Sequence, residues 1–415
     1  MSKLQELIQQ YCPDGVEFKR LDELGVFYNG LTGKSKDDFK DGNAKFITYM
    51  NVFSNIAVKS EYFETVKVGD NEKQNIVKYG DVLFTGSSET PDECGMSSAV
   101  TENLTEDVYL NSFCFGFRFN DTNIMLADFS KYLFRSYELR KEITKTANGV
   151  TRFNVSKEKM KKISIPVPPL EVQAEIVRIL DTFTELTAEL TAELTARQKQ
   201  YEYYRDSLLN FNHKIGGVQW VELQEIFDIR NGYTPSKNNR EYWNDNADIA
   251  WFRMEDIRDN GRILFNSAQH ITQKAVKGNL FPQNSIIVST SATIGEYALI
   301  KIPFLANQRF TALMLKDEFR EIIDINYIFY YCSKLSIFCK EHLNKGNFAS
   351  VDMTAFKNFQ FCIPTIEEQN RIVSILDRFD SLCNDMKTGL PAEISARQQQ
   401  YEYYRDKLLT FERKN

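Results

Sequence analysis

Apolar residues recur at a spacing of three and four through Ile176, Ile179, Leu180, Phe183, Leu186, Leu190, Leu194, Tyr201, Tyr204, Leu208 and Phe211. That spacing puts a stripe on one face of a helix. Pro166, Pro168 and Pro169 stand just before it, where proline is admissible because the first N–H groups of a helix have no partner within it. A helix over 169–211 would be a rod of roughly 64 Å at about 1.5 Å per residue. A lone rod cannot bury such a stripe, so it requires a partner. A second stripe offers one, through Ile372, Ile375, Leu376, Phe379, Leu382, Met386, Leu390, Ile394, Tyr401, Tyr404, Leu408 and Phe411, with Gly389 and Pro391 predicting a break or kink.

Elsewhere helical periodicity is poor and short strand-like runs dominate. In the first half they are 45–53 (KFITYMNVF), 80–87 (GDVLFTGS) and 112–119 (SFCFGFRF); in the second, 249–257, 284–295 and 307–315. Each half then turns helical, over 125–146 and 326–344. The pattern predicts two α+β domains, each followed by a helical joint. The boundaries are 1–165 for the first domain with a short N-terminal helix, 166–212 for the first joint, 213–362 for the second domain and 363–415 for the second joint.

The joints repeat. Residues 197–211 (RQKQYEYYRDSLLNF) return as 397–411 (RQQQYEYYRDKLLTF), identical at twelve of fifteen positions. Upstream, Pro168, Gln173, Ile176, Leu180, Asp181 and Phe183 answer to Pro364, Gln369, Ile372, Leu376, Asp377 and Phe379. Downstream, 217–237 echoes 15–35. One unit is used twice, and the N-terminus begins where a joint ends. An approximate twofold between the halves would lay the joints antiparallel and hold the globular parts at a set distance. Within the first joint, Thr187–Leu190 and Thr191–Leu194 are tandem TAEL units. Four residues slightly exceed a helical turn, so one unit more or less changes the length by about 6 Å and the rotation by roughly 40°.

A chain of 415 residues suits two or three domains. No apolar run is long enough for a bilayer span, the first residues lack the apolar core of a signal peptide, and seven scattered cysteines read as free thiols of a reducing cytoplasm. The net charge of −6 argues mildly against nucleic acid, although acidic helices need not face a ligand.

Catalytic and cofactor motifs are missing. The stretch from Tyr28 to Ser35 echoes the tail of a phosphate loop, but Tyr28 stands where the first glycine belongs. No glycine fingerprint serves a dinucleotide or methyl donor. His213, His270 and His342 are isolated and make no metal spacing. The expectation is a chain that catalyses nothing.

Polar side chains recur at matching places in the two halves. Asn29, Thr32, Lys34, Ser35 and Lys36 correspond to Asn231, Thr234, Ser236, Lys237 and Asn238; Thr85, Ser87 and Ser88 lie near the place of Ser289, Thr290 and Ser291; Asn111 falls near Asn307, Gln308 and Arg309. Such side chains read base edges or hold phosphates. Arg152, Asn154, Tyr233, Arg253 and Asn347 complete the DNA-contact candidates. Drift in these loops beside near-identity in the joints suggests shared anchoring with separate specificities.

The layout, with Ile-Pro-x-Pro-Pro-x-x-x-Gln at Ile165–Gln173, Pro364 to Gln369, the TAEL units and Tyr-Glu-Tyr-Tyr-Arg-Asp twice, resembles the specificity (S) subunit of type I restriction-modification systems over essentially the whole chain. The resemblance implies two target recognition domains in pseudo-twofold arrangement, separated by two long conserved helices packed as an antiparallel coiled coil. Each domain would read one half of a bipartite, asymmetric site in double-stranded DNA, with TAEL number tuning the unread spacer. It implies two modification (methyltransferase) subunits and, through the complex, restriction subunits that translocate and cleave. S-adenosylmethionine, ATP and Mg2+ would belong to those partners, and no membrane is involved. Gln173, Tyr201, Tyr204, Arg205, Gln369, Tyr401, Tyr404 and Arg405 are the candidates for docking them. The alternatives are a coiled-coil scaffold with two protein-binding ends, which would lack salt-dependent DNA affinity, and an enzyme with an unfamiliar site, which would transfer methyl groups by itself.

Overall fold

The computed structural model describes residues 3–211, 217–244, 247–344, 349–384 and 389–414. The chain forms two compact units, one of Met1–Ala188 with Ala396–Asn415, the other of Glu189–Ser395.

The first unit opens with helix α1 (Lys3–Tyr11). Its largest sheet is antiparallel, in the order Gly25–Asn29, Cys114–Phe119, Val82–Thr85, Ser97–Ala99. In a second sheet Ala44–Ile47 runs antiparallel to Phe63–Val66 and parallel to Val108–Leu110. The strand-like run from Lys45 to Phe53 therefore ends early and becomes helix α2 (Tyr49–Ser54). Thr48 makes the switch, its Oγ1 accepting from Asn51 N at 3.1 Å as an N-cap. The helical stretch 125–146 is two helices, α3 (Ala127–Leu133) and α4 (Tyr137–Thr144). The strands Phe18–Arg20 and Ser164–Pro166 pair, and helix α5 then runs from Leu170 to Leu208 without interruption for 39 residues.

The second unit repeats this plan. Phe227–Asn231, Phe310–Leu315, Ser285–Ser289 and Tyr297–Ile300 are antiparallel neighbours in the same order, with Ile263–Leu264 added at the edge. Ile249–Phe252 runs antiparallel to His270–Ile271 and parallel to Phe304–Ala306. Here too the run 249–257 switches, into helix α6 (Met254–Asn260), with the buried Asp256 carboxylate accepting from Arg253 N at 2.7 Å. Helix α7 (Ile325–Glu341) replaces the α3–α4 pair as one piece, and Gln219–Glu222 pairs with Gln360–Ile363. The second joint is interrupted at Gly389, as Gly389 and Pro391 predict: helix α8 is described over Ile366–Asn384, and helix α9 spans Leu390–Leu408. Pro391 sits in the first turn of α9, where its missing N–H costs nothing, and Gly389 O accepts from Ala392 N and Glu393 N. Met386 of the predicted stripe lies outside the described residues, as does His213.

The stripes are divided between two cores. Ile176 and Leu180 of α5 are fully buried in the first unit, whereas Tyr201 and Leu208 of the same helix pack on the core of the second. Ile372 and Leu376 of α8 are buried in the second unit, and Tyr401 and Leu408 of α9 pack in the first. The first unit is closed by the two ends of the chain: Val16 N donates to Glu412 O at 2.8 Å and Lys414 N to Val16 O at 2.9 Å. Gly15, at φ +97°, leaves room for this, since a Cβ there would lie 2.8 Å from Glu412 O. All seven cysteines are buried and unpaired. Among the described residues no helix is long and apolar enough to cross a membrane.

Candidate functional site

In each unit three turns meet at one end of the largest sheet, and the same backbone hydrogen bonds hold them. In the first, Gly30 N donates to Cys114 O (3.2 Å), Leu31 N to Leu110 O (2.7 Å), Gly86 N to Phe113 O (2.7 Å), and Phe113 N to Asn111 Oδ1 (2.9 Å). In the second, Gly232 N donates to Phe310 O (2.9 Å), Tyr233 N to Ala306 O (2.8 Å), Thr290 N to Arg309 O (3.0 Å), and Arg309 N to Asn307 Oδ1 (3.0 Å). The Asn-Gly pairs at Asn29-Gly30 and Asn231-Gly232 explain themselves: a Cβ on Gly30 would lie 2.1 Å from Asn111 O, and one on Gly232 2.3 Å from Asn307 O. Glycine is required for close approach of two backbones, which accounts for the phosphate-loop echo at Tyr28–Ser35.

A fourth segment joins them. In the first unit Ala147–Asn148 pairs with Phe153–Val155, and that strand pairs with Ser87–Ser88. In the second unit Ser291 and Ser350 form the corresponding bridge. Asn347, one of the candidates, lies outside the described residues.

The candidates divide by what their side chains do. Thr85, Ser289 and Thr290 are buried, and their hydroxyls work inside the unit: Thr85 Oγ1 accepts from Met96 N (2.9 Å), Ser289 Oγ donates to Ser291 O (3.0 Å), and Thr290 Oγ1 lies 2.9 Å from Thr311 Oγ1. Lys34 was expected at phosphates; its Nζ instead donates to Lys67 O at 2.6 Å and pairs with Glu72, whose carboxyl it holds down at about 2. Ser35 Oγ donates to Asp38 (2.7 Å), Tyr233 OH donates to Ala275 O (3.1 Å), and Gln308 Oε1 accepts from Thr234 Oγ1. Ser87 is buried, with its carbonyl accepting from Tyr49 OH (2.9 Å), while Ser291 is half-buried. Arg253 is half-buried at the start of α6, its guanidinium 3.8 Å from Glu255. Lys36, Arg152, Asn154, Ser236, Lys237, Asn238, Gln308 and Arg309 remain exposed.

Three further side chains lie at these turns that the sequence pattern does not single out. Phe113, 59% exposed, sits at the tip of the Asn111 turn with the Arg152 guanidinium 5.9 Å from its ring centre. Lys157 Nζ donates to Asn29 Oδ1 and lies 5.4 Å from the ring of Phe115, and Lys159 Nζ donates to Asn148 Oδ1 at 2.9 Å. Burial pushes the Lys157 ammonium down from its ordinary pKa. The signal for Phe113 was present: it stands two residues after an asparagine able to form a local turn, in a run whose apolar letters read simply as strand.

The helical candidates are arranged alike in both units. Arg205 lies 5.7 Å from the ring of Tyr201, and Arg405 5.7 Å from that of Tyr401. Each arginine pairs with the following aspartate, Asp206 or Asp406. Gln173 and Gln369 differ from the expectation of a docking surface, being fully buried. Gln173 accepts from Leu126 N and donates to Ile124 O and Pro168 O; Gln369 accepts from Asp324 N and donates to Ile322 O and Pro364 O, all at 2.7–2.9 Å. Tyr203 and Tyr403, 71% and 61% exposed, present more surface than the Tyr204 and Tyr404 beside them.

The family model described as the type I restriction modification DNA specificity domain matches this chain twice, over residues 13–197 and 216–396. The chain is 51% identical over 202 residues to the type I restriction enzyme EcoprrI specificity subunit of Escherichia coli, a match covering 47% of this chain and 50% of that protein. It is 43% identical over 272 residues to the EcoR124I/EcoR124II specificity subunit of Escherichia coli, covering 62% and 65%. The chain thus spans half of the length of the first relative and just under two thirds of the second. A solved chain described under complex assembly and conformational transition of the type I R-M system has the same fold, with a TM-score of 0.62 at 17% identity over 95% of this chain and 97% of that one.

Proposed function

Since this chain belongs to the type I restriction modification DNA specificity domain family and carries that domain twice, we propose that it is the sequence-reading subunit of a type I restriction-modification complex. Each unit reads one half of a bipartite, asymmetric site in double-stranded DNA, and the TAEL-bearing α5 sets the unread gap. The observation that carries this reading is the contrast between the two kinds of surface. The turns at the sheet end share a backbone frame and differ in their exposed side chains, as separate specificities require. The Tyr-Glu-Tyr-Tyr-Arg-Asp segments share both frame and letters, as two docking sites for one kind of partner require.

Methyl transfer to adenine then belongs to two modification subunits, which bind S-adenosylmethionine, and ATP-driven translocation and cleavage to restriction subunits. This chain's own residues position the DNA and the partners. The stretch 152–162 holds five cations and one carboxylate, that of Glu158, which supports a local positive patch for phosphates on the first unit despite the net charge of −6.

The test is co-expression with its modification subunit, followed by mapping of methylated adenines in the host genome. The expected result is one split motif with two defined half-sites around a fixed gap. An assembled complex active on other DNA that marks no split motif would overturn the reading.

A further inference from the structure

Asn111 and Asn307 build the same turn from the same hydrogen bonds, each side-chain oxygen accepting from the backbone N–H two residues on. The carbonyl of that later residue is held from the neighbouring turn by Gly86 N in one unit and Thr290 N in the other. The backbone position is therefore fixed twice over, and its side chain has no part in holding it. That side chain is Phe113 in the first unit, 59% exposed, and Arg309 in the second, also exposed.

A duplicated frame that exchanges phenylalanine for arginine at its exposed tip has changed the chemistry it offers rather than its shape. Taking the proposed DNA recognition as premise, we infer that this position reads a base pair in each half-site: Arg309 reads guanine and Phe113 reads thymine. A guanidinium fork donates to guanine O6 and N7 together. A phenylalanine edge has no donor, and packs on the one apolar group a base presents in the major groove, the thymine methyl. Arg152, 5.9 Å from the Phe113 ring centre, supplies a cation beside the ring for the phosphates flanking that pair, and Lys157, over the Phe115 ring and bonded to Asn29, supplies a second at the neighbouring turn.

The experiment uses the co-expressed full complex and reads methylation motifs of Arg309→Ala, Phe113→Arg and Phe113→Ala beside the wild type. Arg309→Ala relaxes one G·C position of one half-site, lowering discrimination there by about 5- to 150-fold, and leaves the other half-site alone. Phe113→Arg converts one position of the opposite half-site from an A·T pair to a G·C pair. A wild-type complex also loses affinity for a duplex in which uracil replaces thymine at that position, which removes the methyl alone; the Phe113→Ala complex is indifferent to the exchange. The uracil comparison on the wild type decides the matter even where a variant fails to fold. A wild-type split motif that none of the variants changes, with no response to uracil, overturns this inference and leaves the proposed function standing. A wild-type complex with no split motif overturns that function first.

Discussion

Phe183 of α5 lies stacked on Tyr404 of α9, ring centres 5.4 Å apart and planes 21° from parallel. The repeat places Tyr204 on Phe379 in the second unit at 5.5 Å and 26°. The repeated tyrosine motif thus has two faces. Tyr204 and Tyr404 belong partly to the internal packing, while Tyr203 and Tyr403 stand in solvent.

Tyr404→Ala is expected to destabilise the first unit by about 1–2 kcal/mol, the worth of an offset aromatic pair with some burial. Tyr403→Ala is expected to leave stability within about 0.5 kcal/mol yet weaken assembly with the modification subunit. Urea titration and sedimentation of the mixture separate the two effects. Equal loss of stability from both substitutions would contradict this division of the faces.

Gln173→Leu keeps the approximate volume but removes one acceptor and the donors to two carbonyls, at the junction of the first unit with α5. Unsatisfied buried groups cost about 1–3 kcal/mol each, so a loss of at least ~2 kcal/mol is expected, and the same for Gln369→Leu in its own unit. Urea denaturation of each variant measures it. A neutral result would mean that water replaces the amide.

Residues 187–194 of α5 bury no side chain, every one being exposed or half-exposed. Deleting Thr191–Leu194 should therefore leave both cores intact, with a melting temperature within a few degrees of wild type. The proposed ruler adds a second expectation, a shorter preferred gap between unchanged half-sites. Altered half-site letters in the methylation map would refute it.

Glu175, 4% exposed, pairs with Arg178 at 2.7 Å and Lys3 of α1 at 2.9 Å, which together hold its carboxyl at about 2 from an ordinary 4.5. A carboxyl with a depressed folded-state pKa stabilises above its unfolded value and loses that contribution as the pH falls through the folded one. Glu175→Gln should thus cost stability at pH 7, by ~1 kcal/mol because both cations are largely exposed. The gap to wild type should narrow between about pH 4.5 and 2. Unfolding curves at pH 7, 4 and 3 test it, and a gap that widens with acid would exclude the ion pair as its cause.

The repeat was legible because it is written twice: joint stripes, matched glutamines and paired asparagine–glycine steps needed only the chain compared with itself. The end of two strand-like runs was not legible. Periodicity reports which face is apolar, whereas Thr48 and the Asp256 carboxylate act by accepting hydrogen bonds from one and two particular backbone N–H groups. The same limit governed the candidate site. Lys34, Thr85 and Ser289 carry suitable chemistry, but whether a polar group meets a ligand or a neighbour depends on distances across the fold.

The sequence by itself determined the duplicated α+β units, the division into variable turns and near-identical helices, and the break at Gly389 and Pro391. These follow from local propensity and self-similarity, which neighbours along the chain decide. Only the tertiary structure decided that one helical stripe serves two cores, that Val16 and Lys414 seal the first unit across its ends, and that Phe113 and Arg309 occupy one equivalent position. Each of these depends on groups remote in sequence meeting within a few ångströms, and such meetings are fixed by packing rather than by any pattern along the chain.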